Sequence, residues 1–210
     1  MYRINELIKL DRKIYHTNDL AILWGITKTN TLYTTIKRYV KKGVLVPIYK
    51  GLYATVPIAE LDPLELGKAV IHRYTYLTTE TVLAQAGVIY QATYAYTFVS
   101  DISRKMTVRS INYLFRQLKP EYLNNRAGII NRQGVFMATP ERAAVDILYF
   151  NPKYHFDAPN ILDKEKIKSI LIPLSWSMTG KTIVFFTKSS MRSVKYFRPS
   201  RSTMPFISSR

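Results

Sequence analysis

Residues 27–43 place polar and basic side chains where they could bind nucleic acid. At about 100° per residue, a helix over this segment gathers its apolar side chains on one stripe. The opposite face carries short amide and hydroxyl side chains first and cations after them: Asn30, Thr31, Thr34, Lys37, Arg38 and Lys41. Short polar side chains can reach base edges in a major groove, while Lys and Arg hold phosphates. An ordinary solvated helix face has a similar composition, so this pattern alone leaves both interpretations open.

Two further helices are predicted before this segment. Residues 2–10 and 17–24 have apolar side chains at helical spacing. Thr17 or Asn18 is expected to cap the second of them. Together with the helix over residues 27–43, they give three helices in succession.

A hairpin is predicted directly after the third helix. Two short apolar stretches meet at Lys50 and Gly51, and Gly51 can adopt the positive φ that a tight hairpin turn requires. Pro47 lacks an N–H donor, so its strand is expected at a sheet edge. Three helices followed by a hairpin is the order of a winged helix-turn-helix. We therefore predict that the hairpin is a wing with Lys50 at its tip, and that Lys42 adds a contact to DNA at the end of the helix.

The charge of the chain is sorted by segment. Its net charge is +17, from 31 Lys and Arg against 14 Asp and Glu. Residues 1–57 hold 10 basic and 3 acidic side chains, residues 58–165 hold 12 and 11, and residues 166–210 hold 9 and none. Solubility alone does not require such sorting. Both ends are therefore predicted to bind a polyanion. Basic segments of this kind bind nucleic acid more commonly than an anionic membrane surface.

The middle of the chain predicts a small mixed α/β domain. Asp62 as N-cap and Pro63 form a strong helix start, and a later helix is expected over residues 139–150 with Thr139 as its cap. Between them, residues 92–138 are rich in β-branched and aromatic side chains interrupted by polar turns, which is typical of a small sheet.

The predicted fold class is α+β, in three parts. Residues 1–57 form a winged helix-turn-helix that binds DNA, and residues 58–165 form the small α/β domain. Residues 166–210 form a basic C-terminal segment.

Candidates for catalysis are few. The three histidines, His16, His72 and His155, are far apart and lack metal-ligand spacing, and there is no Gly-rich phosphate loop. We predict that the chain is not an enzyme and holds neither a metal nor a cofactor.

Three acids of the middle segment, Glu80, Glu141 and Asp146, are candidate catalytic groups. Glu80 and Glu141 fall in first helical turns, where a negative charge is favourable. Asp146 is expected on the exposed side of its helix. Each acid therefore has a simpler interpretation than catalysis.

We predict a cytoplasmic protein that spans no membrane. No stretch reaches the roughly 18 to 20 apolar residues that a spanning helix needs. Residues 1–13 carry charges throughout instead of the apolar block of a signal peptide. Cysteine is absent, which excludes disulfide frameworks, thiol nucleophiles and Cys-ligated zinc.

Four pieces of the sequence, in order, resemble the AbiEi family of type IV antitoxins. They are HTNDLAILWGI with the helix after it, the hairpin with KGLYA, YLTTETVLAQAGVI, and ATPERAAVDILYF. The resemblance covers about residues 1–165. It implies an N-terminal winged helix that binds repeats in its own promoter, with residues 30–41 and Lys50 contacting DNA. It also implies a second domain that counters a toxin similar to a nucleotidyltransferase.

The C-terminus departs from the family. Members usually continue with further helices, and residues 163–171 begin in that way. After about residue 172 the chain has no acid and little helical periodicity, and it ends in a Ser, Arg and Pro mixture typical of disorder. One hypothesis is a basic arm that adds phosphate contacts. The other, slightly favoured by the abrupt loss of pattern, is a reading-frame change that replaced the family's usual end.

Sequence and resemblance together predict an autorepressor that is also the antitoxin of a type IV toxin-antitoxin pair. Its partners would be double-stranded DNA with repeated half-sites and a nucleotidyltransferase-like toxin. The alternative is a nucleic-acid-modifying enzyme with a winged-helix targeting module, which would need clustered acids for metal ions. A membrane-surface protein would need an amphipathic helix that the basic tail lacks.

Overall fold

A computed structural model describes residues 2–10 and 12–175 and shows a mixed α+β fold, as predicted. This part of the chain contains eight α-helices and two β-sheets. The elements of its N-terminal third are α1 (Tyr2–Lys9), β1 (Ile14–His16), α2 (Thr17–Leu23), α3 (Thr29–Lys41), β2 (Val46–Tyr49) and β3 (Leu52–Ala54).

The second and larger part begins with a helix and then builds a sheet. Its elements are α4 (Pro63–Ile71), β4 (Tyr76–Leu77), α5 (Thr79–Gln85), β5 (Tyr96–Ser100), β6 (Arg104–Val108), β7 (Ile111–Gln117), α6 (Pro120–Leu123), β8 (Ile129–Arg132), β9 (Val135–Ala138), α7 (Pro140–Phe150) and α8 (Lys164–Ser175). Short 3-10 turns at Ile58–Glu60 and Pro159–Ile161 precede α4 and α8.

Two helix starts agree with the sequence prediction. The Asp62 carboxylate accepts the Leu64 N–H at 2.6 Å, and Pro63 is the first residue of α4. The Thr139 hydroxyl accepts the Arg142 N–H at 3.3 Å at the start of α7. Both capping side chains satisfy an N–H group that the helix itself leaves without a partner.

The predicted N-cap of α2 is wrong. Thr17 and Asn18 lie in the first turn, and His16 occupies the N-cap position. The reason is β1, a strand that the sequence pattern does not predict, whose last residue His16 pairs with Leu52 of β3. The Asp19 carboxylate, in the first turn of α2, accepts the His16 N–H at 3.0 Å and so provides a partner for the N–H of the N-cap residue.

The first sheet has the order β1-β3-β2, and both neighbouring pairs are antiparallel. β2 and β3 form the predicted hairpin, and Gly51 in its turn has a φ of 70°. Pro47 lies in β2, an edge strand of this sheet, which confirms that prediction. β1 adds a third strand on the other side of β3.

This sheet is buried on both faces. Side chains alternate along each strand, so Tyr15 joins a smaller core with α1, α2 and α3, while its neighbour Ile14 joins a larger core. The residues of the sheet in the larger core are Ile14, Ile48, Leu52 and Ala54. The residues of α4 buried in that same core are Leu66, Val70 and Ile71.

Helix α4 lies between the two sheets. Its apolar side chains share the larger core with the first sheet, and its Gly67 lies against Phe98 of β5 and Tyr113 of β7. A Cβ added to Gly67 would be 2.7 Å from a ring atom of each aromatic side chain. Only glycine allows the helix backbone to approach the second sheet this closely.

The second sheet has the order β6-β7-β5-β4-β9-β8. The pairs β5·β7 and β4·β9 are parallel and the other three are antiparallel. α4 covers one face. On the other face, the Tyr76 hydroxyl of β4 bonds Asp146 of α7, and the Thr97 N–H of β5 bonds the Thr81 hydroxyl of α5. Helices therefore cover both faces of the central strands.

Helix α8 packs against this larger core. Its Ile170 and Leu171 are buried there, so the predicted boundary between residues 165 and 166 falls inside a packed helix. The apolar side chains of α8 continue the core past that boundary. Residues 176–210, with both hypotheses for the basic tail, lie outside the described residues.

A fragment ending at residue 57 is expected not to fold. It would lose α4 and expose Ile14, Ile48 and Leu52, which are 2%, 6% and 1% exposed in the full chain. Burial of each such side chain contributes about 1.5–3 kcal/mol, and a module this small has little stability to lose. Circular dichroism and proton-nitrogen NMR of the fragment would show an unfolded or associated chain. A dispersed spectrum from a monomeric fragment would contradict the expectation.

Candidate nucleic-acid interface

Helix α3 is anchored by one apolar stripe. Its buried side chains are Leu32, Thr35, Ile36 and Tyr39. Of these, Leu32, Ile36 and Tyr39 pack with Tyr15, Leu20, Trp24 and Leu45 in the smaller core. The helix backbone also fixes the entry of the hairpin, because the Tyr39 carbonyl accepts the N–H groups of Val44 at 3.0 Å and Leu45 at 3.3 Å.

All eight residues predicted to contact DNA are exposed. Six of them lie on α3, Lys42 is its C-cap residue, and Lys50 lies in the hairpin turn. We call the exposed side of α3 that carries Asn30, Thr31, Thr34, Lys37, Arg38 and Lys41 the α3 face. The structure thus brings six predicted residues together on one surface, opposite the buried stripe.

The hydroxyl groups on the α3 face are already partly engaged. The Thr34 hydroxyl donates to the Asn30 carbonyl at 2.8 Å, and the Thr35 hydroxyl donates to the Thr31 carbonyl at the same distance. In this rotamer, Thr34 can only accept a hydrogen bond from a ligand. The Asn30 amide, with both donors and an acceptor on an exposed first turn, is the group best suited to read a base edge.

Positive charge around the α3 face is not neutralised. No Asp or Glu occurs between Asp19 and Glu60, a stretch that contains six cations: Lys28, Lys37, Arg38, Lys41, Lys42 and Lys50. Among the described residues, none of these six forms an ion pair with a carboxylate. Unpaired cations on a surface without acids attract phosphates over a distance set by the salt concentration.

The hairpin turn is held in place instead of projecting freely. The Gly51 carbonyl accepts the Thr17 N–H at 2.8 Å and the Thr17 hydroxyl at 3.2 Å. These two bonds attach the turn that carries Lys50 to the first turn of α2. The backbone of Lys50 is therefore fixed relative to α2 and, through the smaller core, relative to α3.

Two residues beside the α3 face were not predicted as part of it. Lys28 is the N-cap residue of α3 and is exposed, and Tyr33 on the helix surface is 53% exposed. The same helical periodicity that identified Lys37 places Tyr33 next to it, so the sequence held that signal. An exposed aromatic ring beside cations can stack on a base or lie along a sugar.

The interpretation of Asp146 is wrong. Its side chain is not on an exposed helix side but 3% exposed, and it forms an ion pair with Arg142, which is fully buried. Helical periodicity alone treats a polar residue as exposed, whereas Arg142 lies one turn earlier on the same face at 2.8 Å and supplies a buried partner.

The Arg142 guanidinium makes five hydrogen bonds. Its Nε bonds the Asp146 carboxylate at 2.8 Å and one terminal nitrogen bonds the Tyr76 hydroxyl at 2.7 Å. The other three bonds go to backbone carbonyls, those of Tyr122 at 2.8 Å and of Asn125 and Ala127 at 3.0 Å. All five N–H donors of the side chain can thus be satisfied without water.

The second Asp146 oxygen accepts from the Tyr76 hydroxyl at 3.0 Å and from the Thr78 hydroxyl at 2.7 Å. Burial raises the pKa of Tyr76 because the phenolate would lose its hydration, and the neighbouring Asp146 carboxylate raises this pKa further. Burial also raises the pKa of Asp146, while Arg142 and the donated hydrogen bonds oppose that rise. With every polar atom of the group paired inside the core, this arrangement stabilises structure and leaves no face for a substrate.

The other two acids lie in the first turns of α5 and α7. Glu80 forms a half-buried ion pair with Arg116 of β7 at 2.5 Å, which joins α5 to the second sheet. Glu141 is 7% exposed in the first turn of α7, as the sequence indicated. Within the part of the chain that the structure describes, no group of three or more His, Cys, Asp or Glu side chains is arranged to hold a metal ion.

The histidines are not all far apart. The rings of His16 and His72 have centroids 4.0 Å apart, because the end of β1 packs against the end of α4. This pairing of residues 56 positions apart depends on the tertiary fold and has no signature in the local sequence. The third histidine, His155, is exposed.

Comparison with known proteins gives a distant likeness among solved structures. The chain matches no protein-family model and no curated protein. Among solved structures it is similar to the RV2827C protein from Mycobacterium tuberculosis, with 14% sequence identity and a TM-score of 0.49, over 80% of this chain and 69% of that chain. The resemblance to AbiEi antitoxins stays a prediction. Across residues 2–10 and 12–175, no helix has both the length and the apolar character needed to cross a membrane.

Replacing Asp146 by Asn is expected to destabilise the fold strongly. Arg142 would keep its charge in the core but lose its anionic partner, a change that typically costs about 3–5 kcal/mol. Urea unfolding followed by circular dichroism measures the loss. Asp101→Asn is the matched control, since its ion pair with Arg73 is exposed and worth about 1 kcal/mol or less. Equal losses in the two variants would show that the buried pair has no special role.

Proposed function

We propose that this chain is a winged-helix DNA-binding regulator that represses its own promoter and serves as the antitoxin of a type IV toxin-antitoxin pair. The observation that carries the DNA-binding half is the α3 face, an exposed helix side with an amide in its first turn, four cations along and after it, and no acid in the surrounding stretch. The antitoxin half rests on the AbiEi resemblance.

The order of the N-terminal elements supports the winged-helix assignment. Three helices are followed by the β2–β3 hairpin, and β1 completes a three-stranded sheet next to them. In this architecture α3 is the recognition helix and enters the major groove with its N-terminal residues against base edges. Phosphate contacts from Lys37, Arg38, Lys41 and Lys42 would supply most of the affinity.

The start of α3 suits an anion. Its N-cap residue Lys28 provides no side-chain hydrogen bond, and the first turn contains no acid. The N–H groups of that turn point along the helix axis without a side-chain cap and carry the positive end of the helix dipole. A DNA phosphate at this position would satisfy them and fix the register of the helix.

The function proposed is binding, not catalysis. The polar cluster around Arg142 is closed to solvent, and the half-buried Glu80 is paired with Arg116. Countering the toxin would then depend on the surface of residues 58–165, either by contact with the toxin or by competition for its target.

Alanine substitutions on the α3 face are expected to separate affinity from sequence preference. Lys41→Ala and Lys42→Ala should each weaken binding to all DNA equally and reduce the salt slope by about 1, because each removes a phosphate contact. Asn30→Ala should cost about 1–3 kcal/mol on DNA from upstream of the chain's own gene and little on scrambled DNA. Fluorescence anisotropy at several salt concentrations measures both quantities.

Lys119→Ala is the matched control, since this lysine is exposed and lies in the second part of the chain. Binding by Lys119→Ala should equal that of the unchanged chain. If Asn30→Ala altered neither affinity nor preference, the α3 face would not be the recognition surface.

The antitoxin half predicts rescue of growth. Cells that express a nucleotidyltransferase-like toxin encoded beside this chain, from an unrelated promoter, should resume growth when the chain is co-expressed. A variant with Asn30, Lys41 and Lys42 all changed to alanine should rescue equally, because repression is bypassed and residues 58–165 are unchanged. Colony counts give the readout. Growth no better than with an empty vector would reject the antitoxin role and leave DNA binding untouched.

A further inference from the structure

Two histidines connect the N-terminal part of the chain to the second part. His16 is the last residue of β1, and His72 is the C-cap residue of α4. Their rings meet edge-on, with centroids 4.0 Å apart and planes at 72°. The His16 Nε2 atom also lies 2.6 Å from the Ala69 carbonyl oxygen of α4. This contact belongs to neither the α3 face nor the Arg142 cluster.

The contact with Ala69 fixes which ring nitrogen of neutral His16 carries the hydrogen. A carbonyl oxygen can only accept, so Nε2 of His16 carries the hydrogen and donates it to Ala69. A second proton would enter at Nδ1 and make His16 a cation. The Ala69 bond would survive that step, but the charge would be half-buried and would face the His72 ring.

The surroundings offer little compensation for a new positive charge. The charged or titratable groups facing His16 are Arg12, Asp19, Glu65, Lys68, His72, Arg73 and Tyr74, which line or adjoin an open cleft of about 570 Å³. Asp19 already pairs with Arg12 at 2.6 Å, and Asp101, next to the cleft, pairs with Arg73 at 2.5 Å. Glu65 lines the cleft and forms no ion pair among the described residues, but it is not among the groups that shift the pKa of His16. Burial lowers the pKa of His16, and His72 and Arg12 add to that, against the Ala69 bond and Asp19.

We propose that the His16–His72 contact is a pH-sensitive link, which holds β1 against α4 while both rings are neutral and loosens when they become cations. Histidine is the side chain whose charge changes in the physiological range. Two imidazolium rings at this separation repel each other, and the half-buried His16 ring cannot turn away without breaking its bond to the Ala69 carbonyl. The link depends only on the position of these two elements, so it does not need the proposed DNA binding.

The direction of the pH effect follows from linkage. His16 in the folded chain holds its proton less tightly than in the unfolded chain, where histidine titrates near pH 6.5. As the pH falls, the unfolded state therefore binds more protons than the folded state does, and the free energy of unfolding decreases. The contribution of the link is complete above about pH 6.5 and is lost below it.

The test uses the full chain and three substitutions. The chain has three histidines, so each ring can be followed by NMR during a pH titration. His16→Gln keeps a donor near Ala69 but cannot become a cation. His72→Asn suits the left-handed backbone at this residue, φ 49°, and is uncharged. His155→Asn, at an exposed histidine, is the control.

We expect urea midpoints of the unchanged chain and of His155→Asn to fall by the same amount between about pH 7.5 and about pH 5.5. His16→Gln should lose most of that fall. His72→Asn should raise the titration midpoint of His16, because a neighbouring ring that can carry positive charge is removed. Amide protection factors in α4, which correct for the slower intrinsic exchange at low pH, should fall at the lower pH only when both histidines are present.

Two results would overturn the proposal. One is a pH dependence of stability in His16→Gln equal to that of the unchanged chain. The other is a His16 titration in His72→Asn that does not move. The second measurement decides the question even if His16→Gln does not fold.

Discussion

The buried guanidinium of Arg142 organises the second part of the chain. Its five bonds, one of which is the ion pair with Asp146, reach β4 through Tyr76, α6 and the segment after it through three backbone carbonyls, and α7 through Asp146. Because an unpaired charge in the core would be costly, these segments must come together in one arrangement. Gly128 fits beside this group, and a Cβ there would lie 2.8 Å from the Arg142 Cβ.

The sequence predicted those features that depend on local periodicity and local backbone chemistry. The apolar stripe of α3, the Asp62 and Thr139 caps, the turn at Gly51 and the edge position of Pro47 all follow from residues within a few positions of one another. The eight proposed contact residues are exposed for the same reason, since a helix with one buried stripe must expose the other side.

The features that the sequence did not predict depend on distant partners. β1 has three residues and forms because it pairs with β3, in which Tyr53 lies opposite Tyr15 although the two are far apart in sequence. Asp146 is buried because Arg142, Tyr76 and Thr78 satisfy it together, and only one of these is a helical neighbour. The contact of His16 with His72 and the position of α4 between two sheets likewise need the assembled fold. Local sequence pattern predicts the helices and strands, whereas tertiary contacts determine which polar groups are buried.

The burial of the first sheet on both faces also limits when the N-terminal part can finish folding during synthesis. Ile14 and Leu52 need the side chains of α4 to leave water, and α4 begins only at Pro63. During translation from the N-terminus, the first three helices and the hairpin can therefore form their local bonds before the sheet has its second covering layer. The nascent chain completes its N-terminal part only after α4 has left the ribosome. Folding of the part proposed to bind DNA is thereby tied to synthesis of the part that follows it.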